Sequence, residues 1–289
     1  MPAFAKAMEI GVTTLELDTA VTRDGVVVVA HDRRLNPDIT RDKYGAWLCA
    51  PTRTVHSLSL AEIKEFDIGR IDPASDYHKR FPGQHGSDGL AMPTLEEVFS
   101  LVQRSKNTSL RFNIETKLSP LHPDEAPEPL EFVGALLDTI RSARLVHRVT
   151  IQSFDWRALR HARTLEPEIS VSYLSTQQSP GATINADKDS PWTDGVHFSV
   201  HGSAPRMIAA ATSSYSSNTE NIIWSPHLSD ITEALLEEAH ALGISVLPWT
   251  VNEPDELAHV IALGVDGLIT DYPDRARTVM TRLQIPMSE

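Results

Sequence analysis

Apolar residues follow two different periods along most of this chain. Glu16 and Asp18 alternate with two leucines, which is the pattern of a strand with one buried face. The run 26–30 is continuously apolar and mostly β-branched, which is typical of a fully buried strand. Residues 95–102 instead place apolar side chains at helical spacing, directly after a capping residue at Thr94. Both kinds of element are therefore predicted.

Farther along, predicted strands and helices alternate. Strands of the main sheet are predicted around Leu15, Phe112, Ile151, Val171, Ile223, Leu247 and Leu268, the last two over 246–251 and 267–270. Helices are predicted over 2–10, 94–102, 130–144, 156–165, 205–212, 231–242, 253–263 and 273–283. Strands that alternate with helices indicate an α/β fold with a parallel sheet and helices outside it.

This alternation favours a closed (β/α)8 barrel, but the chain provides one strand too few. Such a barrel repeats a strand and then a helix eight times. Here the first element, over 2–10, is a helix, and seven barrel strands follow, with 26–30 as an additional arm. We therefore expect a TIM-like (β/α)8 barrel whose first strand is missing from this chain. The two exposed edges of such a sheet would favour aggregation, and a dimer that covers them is left open.

Residues 38–92 lack a clear period, and they separate two elements of the predicted core. Pro, Gly, Asp, His and Arg are scattered through them, with one short helix predicted after Ser59. Excursions of this length inside a compact domain are usually functional. We expect one domain over 1–289, with 38–92 as an insertion over the barrel mouth. The segment 175–221 is rich in small polar residues and indicates little beyond its one predicted helix.

Composition narrows the class of partner. The chain has 26 Lys and Arg against 39 Asp and Glu, a net charge of −13, which argues against nucleic acid or an anionic membrane surface. No apolar run is long enough to span a bilayer. Cys49 is the single cysteine, so an intramolecular disulfide is excluded. No secretory signal is visible, which predicts a cytoplasmic protein as given, or a periplasmic or secreted one if the native start lies upstream.

Carboxylates concentrate where predicted strands end, which is where chemistry sits in such barrels. Glu16 and Asp18 are two residues apart, so their side chains share one face of a strand. Glu115 ends the neighbouring strand and completes a set of three oxygen ligands. Such ligands favour Mg²⁺ or Ca²⁺ over zinc, without choosing between the two. The alternative is that Glu16 and Asp18 are solvated residues of an edge strand.

Four further residues at strand ends are candidates for substrate chemistry. Lys117 lies on the face of Glu115 and could bind an anionic group such as phosphate, or form a surface ion pair. His31 ends the apolar arm and could act as a general acid or base, or be solvated. Phe154 and Trp249 could form an apolar wall for a ligand, or pack in the core.

Taken in order, these motifs resemble the glycerophosphodiester phosphodiesterase family. The matching segments are Glu16-Leu17-Asp18, Thr22-Arg23-Asp24-Gly25, Val28-Val29-Ala30-His31-Asp32, Pro93-Thr94-Leu95-Glu96-Glu97-Val98, Asn113-Ile114-Glu115-Thr116-Lys117, Gln152-Ser153-Phe154, Trp249-Thr250-Val251-Asn252 and Ile269-Thr270-Asp271-Tyr272-Pro273. Their order and spacing agree from residue 2 to about residue 280, with no support from 175–221. The insertion also resembles the one that this family has after its second strand.

The resemblance implies a metal-dependent hydrolase that cleaves a glycerophosphodiester into an alcohol and glycerol 3-phosphate through a cyclic phosphate. In the family, one divalent metal is held by carboxylates matching Glu16, Asp18 and Glu115. Two histidines act as acid and base, the second matching His31, and a lysine matching Lys117 helps to bind phosphate.

This chain departs from the family at its start, because the strand with His-Arg-Gly and the first catalytic histidine are absent. The alternative function is therefore a non-catalytic relative that binds metal and phosphodiester. In either case the partner is a small molecule.

Overall fold

The computed structural model describes residues 1–214 and 220–285. Its strands are β1 (Thr14–Val21), β2 (Val27–Val29), β3 (Arg111–Thr116), β4 (Val149–Ser153), β5 (Ser170–Ser175), β6 (Ile222–Pro226) and β7 (Ser245–Val246). Its α-helices are α1 (Pro2–Ile10), α2 (Leu60–Ile63), α3 (Asp76–Arg80), α4 (Leu95–Arg104), α5 (Pro129–Ser142), α6 (Trp156–Leu165), α7 (Phe198–His201), α8 (Ala204–Ser213), α9 (Glu233–Ala241), α10 (Pro254–Leu263) and α11 (Pro273–Arg282). Short 3₁₀ turns cover Val55–Ser57, Pro123–Glu125, Val146–Arg148, Pro191–Thr193 and Leu228–Asp230.

The seven strands form one sheet in the order β2-β1-β3-β4-β5-β6-β7. β2 pairs antiparallel to the carboxyl half of β1, and every other pair is parallel. The α/β class and the parallel sheet are thus confirmed, and β2 is the predicted additional arm. Because the five parallel pairs share one direction, the carboxyl ends of six strands meet at one edge.

The alternation in β1 separates two environments. Leu15 and Leu17 are 2% and 3% exposed and belong to the apolar core between the sheet and the helices. Glu16 and Asp18 point to the other face of the sheet, towards the barrel interior. β1 therefore packs its leucines against the helices on one face and presents its carboxylates to the barrel interior on the other.

The last two predicted strands are largely wrong. β7 covers two residues instead of 246–251, and 267–270 forms no regular strand. Two hydrogen bonds still join these segments, since the Ile269 amide donates to the Pro248 carbonyl and the Val251 amide donates to the Ile269 carbonyl, both at 2.9 Å. Pro248 has no amide proton to extend a ladder, and Gly267 adds no side chain for packing, so the pairing stays local.

The helical layer connects the two ends of the sheet. The Arg277 guanidinium of α11 donates to the backbone carbonyls of Ile10 and Gly11, at 2.6 and 3.1 Å, just where α1 ends. The register of β1 with β2 begins at Thr19, and the Asp18 carbonyl accepts from the Ala30 amide at 3.0 Å. On that edge, residues 14–17 pair with no strand among the described residues. The sheet is therefore open between β1 and 267–270, and the missing first strand stays a prediction.

Residues 38–92 contain α2, α3 and the turn Val55–Ser57, and part of the segment packs on the arm. Val55, Leu58 and Ile63 are fully buried in a second apolar cluster that includes Val28 of β2. The assignment of this segment as an insertion over the mouth, and of 1–289 as one domain, stays a prediction. The predicted helix near 205–212 corresponds to α8, whereas 215–219 lie outside the described residues. Among the described helices, none is long and apolar enough to cross a membrane.

Candidate metal and phosphodiester site

Glu16, Asp18 and Glu115 meet on the inward face of β1 and β3, with Asp18 and Glu115 near the carboxyl end of the ladder that these two strands share. The parallel register pairs Asp18 with Glu115, and Glu16 precedes Asp18 on the same face. One carboxylate oxygen from each residue lies within 4.8 Å of the other two. The three side chains that the strand alternation selected are therefore brought together as one cluster.

Lys117 supplies a positive charge to this cluster. Its Nζ lies 2.9 Å from Asp18 Oδ1 and 3.0 Å from Glu115 Oε1, and its side chain is 12% exposed. Burial opposes the charge on this ammonium, but the two carboxylates outweigh burial and raise the Lys117 pKa. The lysine is thus a fixed cation within the cluster rather than a solvated surface residue.

One lysine does not neutralise three carboxylates. Burial raises the pKa of Glu115 to about 7, with Asp18 adding to the effect and Lys117 opposing it. Burial, followed by the charges of Asp18 and Glu115, also raises the Glu16 pKa well above its ordinary value. Three hard oxygen donors with unfavourable mutual repulsion fit a divalent cation such as Mg²⁺ or Ca²⁺. Glu16, Asp18 and Glu115 would hold it.

Two buried amides adjoin the cluster, and the sequence analysis did not select them. Gln152 of β4 donates from Nε2 to Glu16 Oε1 at 2.6 Å, and Asn113 of β3 donates from Nδ2 to Gln152 Oε1 at 2.7 Å. Both belong to motifs noted above, and strand alternation places each on the inward face. In the sequence, the signal for both residues was a polar side chain at an inward position of a predicted strand.

His31 lies at the rim, beyond the end of β2. Its Nδ1 is 3.1 Å from Asp32 Oδ1, and its side chain is 73% exposed. Asn36 donates to the other Asp32 oxygen at 2.9 Å, which fixes this carboxylate. The hydrogen bond to Asp32 raises the His31 pKa more than burial lowers it. The amide of Ala30, the residue before His31, donates to the Asp18 carbonyl at 3.0 Å, so the chain enters this turn beside the cluster.

Arg33 and Arg34 join the turn that follows β2 to the loop after β3. Their Nε atoms lie 2.8 and 2.7 Å from the two carboxylate oxygens of Glu125, one arginine on each oxygen. The Glu125 side chain is 15% exposed, so the fork is partly protected from solvent. The turn that contains His31 is therefore held against the loop that follows Lys117.

Phe154 and Trp249 form part of an aromatic row at the same edge of the sheet. Their ring centroids are 5.4 Å apart with nearly perpendicular planes. Trp192 continues the row beyond Phe154 at 6.4 Å, and His227 continues it beyond Trp249 at 5.1 Å. The Trp249 indole donates to the Ser225 carbonyl at 2.9 Å, so its orientation is fixed. Trp192 and His227 lie in loops where the sequence pattern indicates no element, and only the folded chain places them here.

A barrel-like α/β fold with a cluster of carboxylates and a lysine on the inward face of its strands is typical of an enzyme active site. Residues 1–275 match the sequence profile of the glycerophosphoryl diester phosphodiesterase family. The chain belongs to this family.

Similarity to individual proteins is consistent with membership of this family. A glycerophosphodiester phosphodiesterase of Caldanaerobacter subterraneus is 28% identical over 273 residues, which is 94% of this chain and 87% of that protein. The crystal structure of a Silicibacter pomeroyi protein provisionally named glycerophosphoryl diester phosphodiesterase is 33% identical, with a TM-score of 0.84, over 99% of this chain and 88% of that one. The fold is also similar to that of an Oleispira antarctica phosphodiesterase solved with its product sn-glycerol-3-phosphate (18% identity, TM-score 0.64, 96% and 89% covered).

Proposed function

We propose that this protein hydrolyses glycerophosphodiesters to an alcohol and glycerol 3-phosphate, with one divalent cation, Mg²⁺ or Ca²⁺, held by Glu16, Asp18 and Glu115. The observation that supports this most directly is the convergence of the three carboxylates within 4.8 Å, in a chain of this family. When bound, the cation would polarise the phosphodiester and favour ionisation of the attacking hydroxyl. Lys117, 2.9 Å from Asp18, would add a fixed positive charge for the phosphate.

His31 is proposed as one member of an acid–base pair. In the first step a base accepts the proton of a glycerol hydroxyl, whose oxygen bonds to phosphorus to form a cyclic phosphate. The bond from phosphorus to the alcohol oxygen breaks, and the opposing acid protonates that oxygen. Water then opens the ring with the two roles exchanged. Asp32 supports the protonated form of His31 through its hydrogen bond.

The aromatic row is proposed to form a wall for the substrate. Phe154 and Trp249 are half-buried side chains at the carboxyl edge, and their perpendicular packing leaves ring surface for contact with apolar atoms. A substrate whose phosphate lies at the carboxylate cluster would extend its organic part over this wall.

The second member of the acid–base pair is proposed to come from an additional strand between β1 and 267–270. Such a strand fits because residues 14–17 pair with no described strand on that edge. With the family's His-Arg-Gly sequence, it would place a histidine opposite His31. Without it, the alternative function is binding of metal and phosphodiester with very slow turnover, since one acid–base partner typically contributes about 10²–10⁴-fold.

Hydrolysis of glycerophosphocholine by the chain, with and without an added His-Arg-Gly strand, tests both functions. Turnover that is abolished by a chelator and by Glu16→Ala supports the metal-dependent enzyme. Turnover unchanged by chelation would refute the role of the metal. Binding of Mg²⁺ or Ca²⁺ and glycerol phosphate without turnover in either form would establish the alternative.

A further inference from the structure

The Glu16 carboxylate is held differently from the other two carboxylates of the cluster. Lys117 Nζ contacts Asp18 and Glu115, at 2.9 and 3.0 Å. Among the described residues, the hydrogen bond to Glu16 comes from the side-chain amide of Gln152, at 2.6 Å. Glu16 is therefore held by an uncharged amide, whereas Asp18 and Glu115 are held by the ammonium of Lys117.

Gln152 is in turn held by a second buried amide. Asn113 donates from Nδ2 to Gln152 Oε1 at 2.7 Å, and the two side chains are 4% and 1% exposed. Asn113 lies on β3, level with Glu16 of β1, and Gln152 lies on β4, level with Glu115. The contacts therefore form a chain from Asn113 through Gln152 to Glu16 inside the barrel, across three strands.

Only one orientation of the two amides satisfies this chain. Binding a cation requires Glu16 to be ionised, and an ionised carboxylate can only accept hydrogen bonds, so Gln152 must then present its amino group to Glu16. Its carbonyl oxygen then faces Asn113, which must present its own amino group. Rotating either amide by 180° would set two oxygens against each other in a buried site, where an unpaired polar atom is costly.

The Asn113 end of these linked hydrogen bonds faces a polar cavity. Asn113 lines a cavity of about 250 Å³ at the amino ends of the strands, together with Thr150 and Ser170. Asn113 Oδ1 accepts no hydrogen bond from the described residues. The orientation of the two amides is therefore set from the Glu16 end of the chain and not by a protein donor at the cavity.

We propose that Asn113 and Gln152 are positioning residues that hold the Glu16 carboxylate in the rotation a divalent cation requires, and so set the cation affinity of the site. This inference rests on the proposed metal function. Partners that orient metal ligands typically contribute about 10–100-fold to metal affinity. Because Asn113 acts only through Gln152, the effects of removing the two residues should not multiply.

Calorimetric titration of the full chain with MgCl₂ or CaCl₂ tests the proposal. Gln152→Met and Asn113→Leu, which keep side-chain volume, are each expected to weaken binding, by about 100-fold at most. The double variant is expected to bind about as weakly as Gln152→Met. Equal affinity in wild type and Gln152→Met would overturn the proposal, as would single effects that multiply in the double variant.

A matched control is available on the same two strands. Thr116 Oγ1 donates to Ser153 Oγ at 2.9 Å. Thr116 lies three residues beyond Asn113 and Ser153 one residue beyond Gln152, so both are on the opposite face of the sheet. Both residues are at most 1% exposed. Thr116→Val removes a buried hydrogen bond of the same kind without touching the amide chain, and it is expected to leave cation affinity unchanged. A loss equal to that of Gln152→Met would overturn the proposal.

Asn113→Asp keeps the shape of the side chain and separates positioning from charge. A carboxylate oxygen facing Gln152 Oε1 would turn the Gln152 amide and place its oxygen against Glu16, so binding should weaken. Added negative charge alone would strengthen cation binding, and stronger binding would overturn the proposal. If Gln152→Met or Asn113→Leu prevents folding, as judged by circular dichroism, Asn113→Asp still tests the proposal. Absence of cation binding by the wild type would instead refute the proposed metal site itself, and the positioning role with it.

Discussion

At the scale of single residues, charge balance governs the site. Three neighbouring carboxylates, of which Glu115 is buried and the other two are partly buried, share one ammonium. Their repulsion is relieved by holding a proton or by binding a cation. Burial raises the Glu115 pKa from an ordinary 4.5 to about 7, and the charge of Asp18 adds to this, so the site without a cation opposes ionisation of Glu115. A divalent cation removes this opposition, and protons must then compete with it.

The affinity for Mg²⁺ or Ca²⁺ is expected to fall as pH decreases below about 7, because a proton on Glu115 occupies a ligand oxygen. The sign follows from the raised pKa. Between about 4.5 and 7, the folded protein without metal retains a proton that the unfolded chain releases, and the stability from that proton is lost as pH rises through about 7. Calorimetry at pH 6, 7 and 8 measures the trend, which approaches roughly tenfold per unit in acid. Constant affinity across this range would contradict the expectation.

The second prediction concerns His31 and Asp32. The hydrogen bond between them, with Nδ1 and Oδ1 3.1 Å apart, raises the His31 pKa above its ordinary value of 6.5. Asp32→Asn is therefore expected to lower the NMR titration midpoint of His31, because the protonated ring loses its anionic partner. Asp38→Asn removes a nearby charge that does not touch the ring and serves as the control. Equal midpoints in wild type and Asp32→Asn would show that the contact does not form in solution.

At the scale of elements, the register of β1 on β3 decides whether a site exists. Asp18 stands opposite Glu115 because the parallel ladder begins with Thr14 opposite Arg111. A slip of one residue would turn the carboxylates into the apolar layer and the leucines inward, so the buried leucines define the register. Helix α4 packs on this region through Leu95 and Phe99 and stabilises the arm that leads to His31.

Thr94→Ala tests how much the start of α4 contributes to stability. Thr94 Oγ1 accepts from the Glu97 amide at 3.1 Å, and the Glu97 carboxylate accepts from the Thr94 amide at 2.7 Å. Loss of the capping side chain is expected to lower the free energy of unfolding by about 0.5–2 kcal/mol. Urea denaturation measures this loss, and Glu96→Ala, an exposed change in the same turn, is expected to cost less. A Thr94→Ala protein as stable as the wild type would disprove the contribution of the cap.

At the scale of the whole molecule, the helices close a ring that the described strands leave open. Arg277 of α11 donates to the carbonyls of Ile10 and Gly11, at the end of α1. Gly11 has φ +85°, a left-handed conformation that ends the helix and leaves carbonyl groups available to the guanidinium. One side chain therefore joins α1 and α11, through a contact between Gly11 and Arg277, which are 266 residues apart in the chain.

Arg277→Ala is expected to lower the free energy of unfolding by about 1–2 kcal/mol, because two charge-assisted hydrogen bonds between partly exposed groups are lost. Arg282→Ala removes an exposed arginine from the last turn of the same helix, and a smaller effect is expected. Thermal unfolding of both variants makes the comparison. If Arg282→Ala proves the more destabilising, the contact of Arg277 with α1 does not stabilise the fold.

Much of this organisation could be predicted from local pattern. The strand predicted around Ile151 and the helix predicted over 156–165 match β4 and α6. The strand predicted over 267–270 is wrong, because an apolar run does not show whether a neighbouring strand offers a continuous ladder. Gln152 was noted only as part of a motif, since the bond that gives it a role joins residues 136 positions apart.

By itself, the sequence determined the order and type of most elements, though not of the last two predicted strands. It also determined the inward face of β1 and the candidate set Glu16, Asp18, Glu115 and Lys117, because these depend on side-chain periods of 2 and 3.6 residues. Only the tertiary structure decided that Lys117 contacts two carboxylates while Gln152 contacts the third, and that Trp192 and His227 extend the aromatic row. Such contacts depend on register and loop paths across the sheet, which periodicity does not specify.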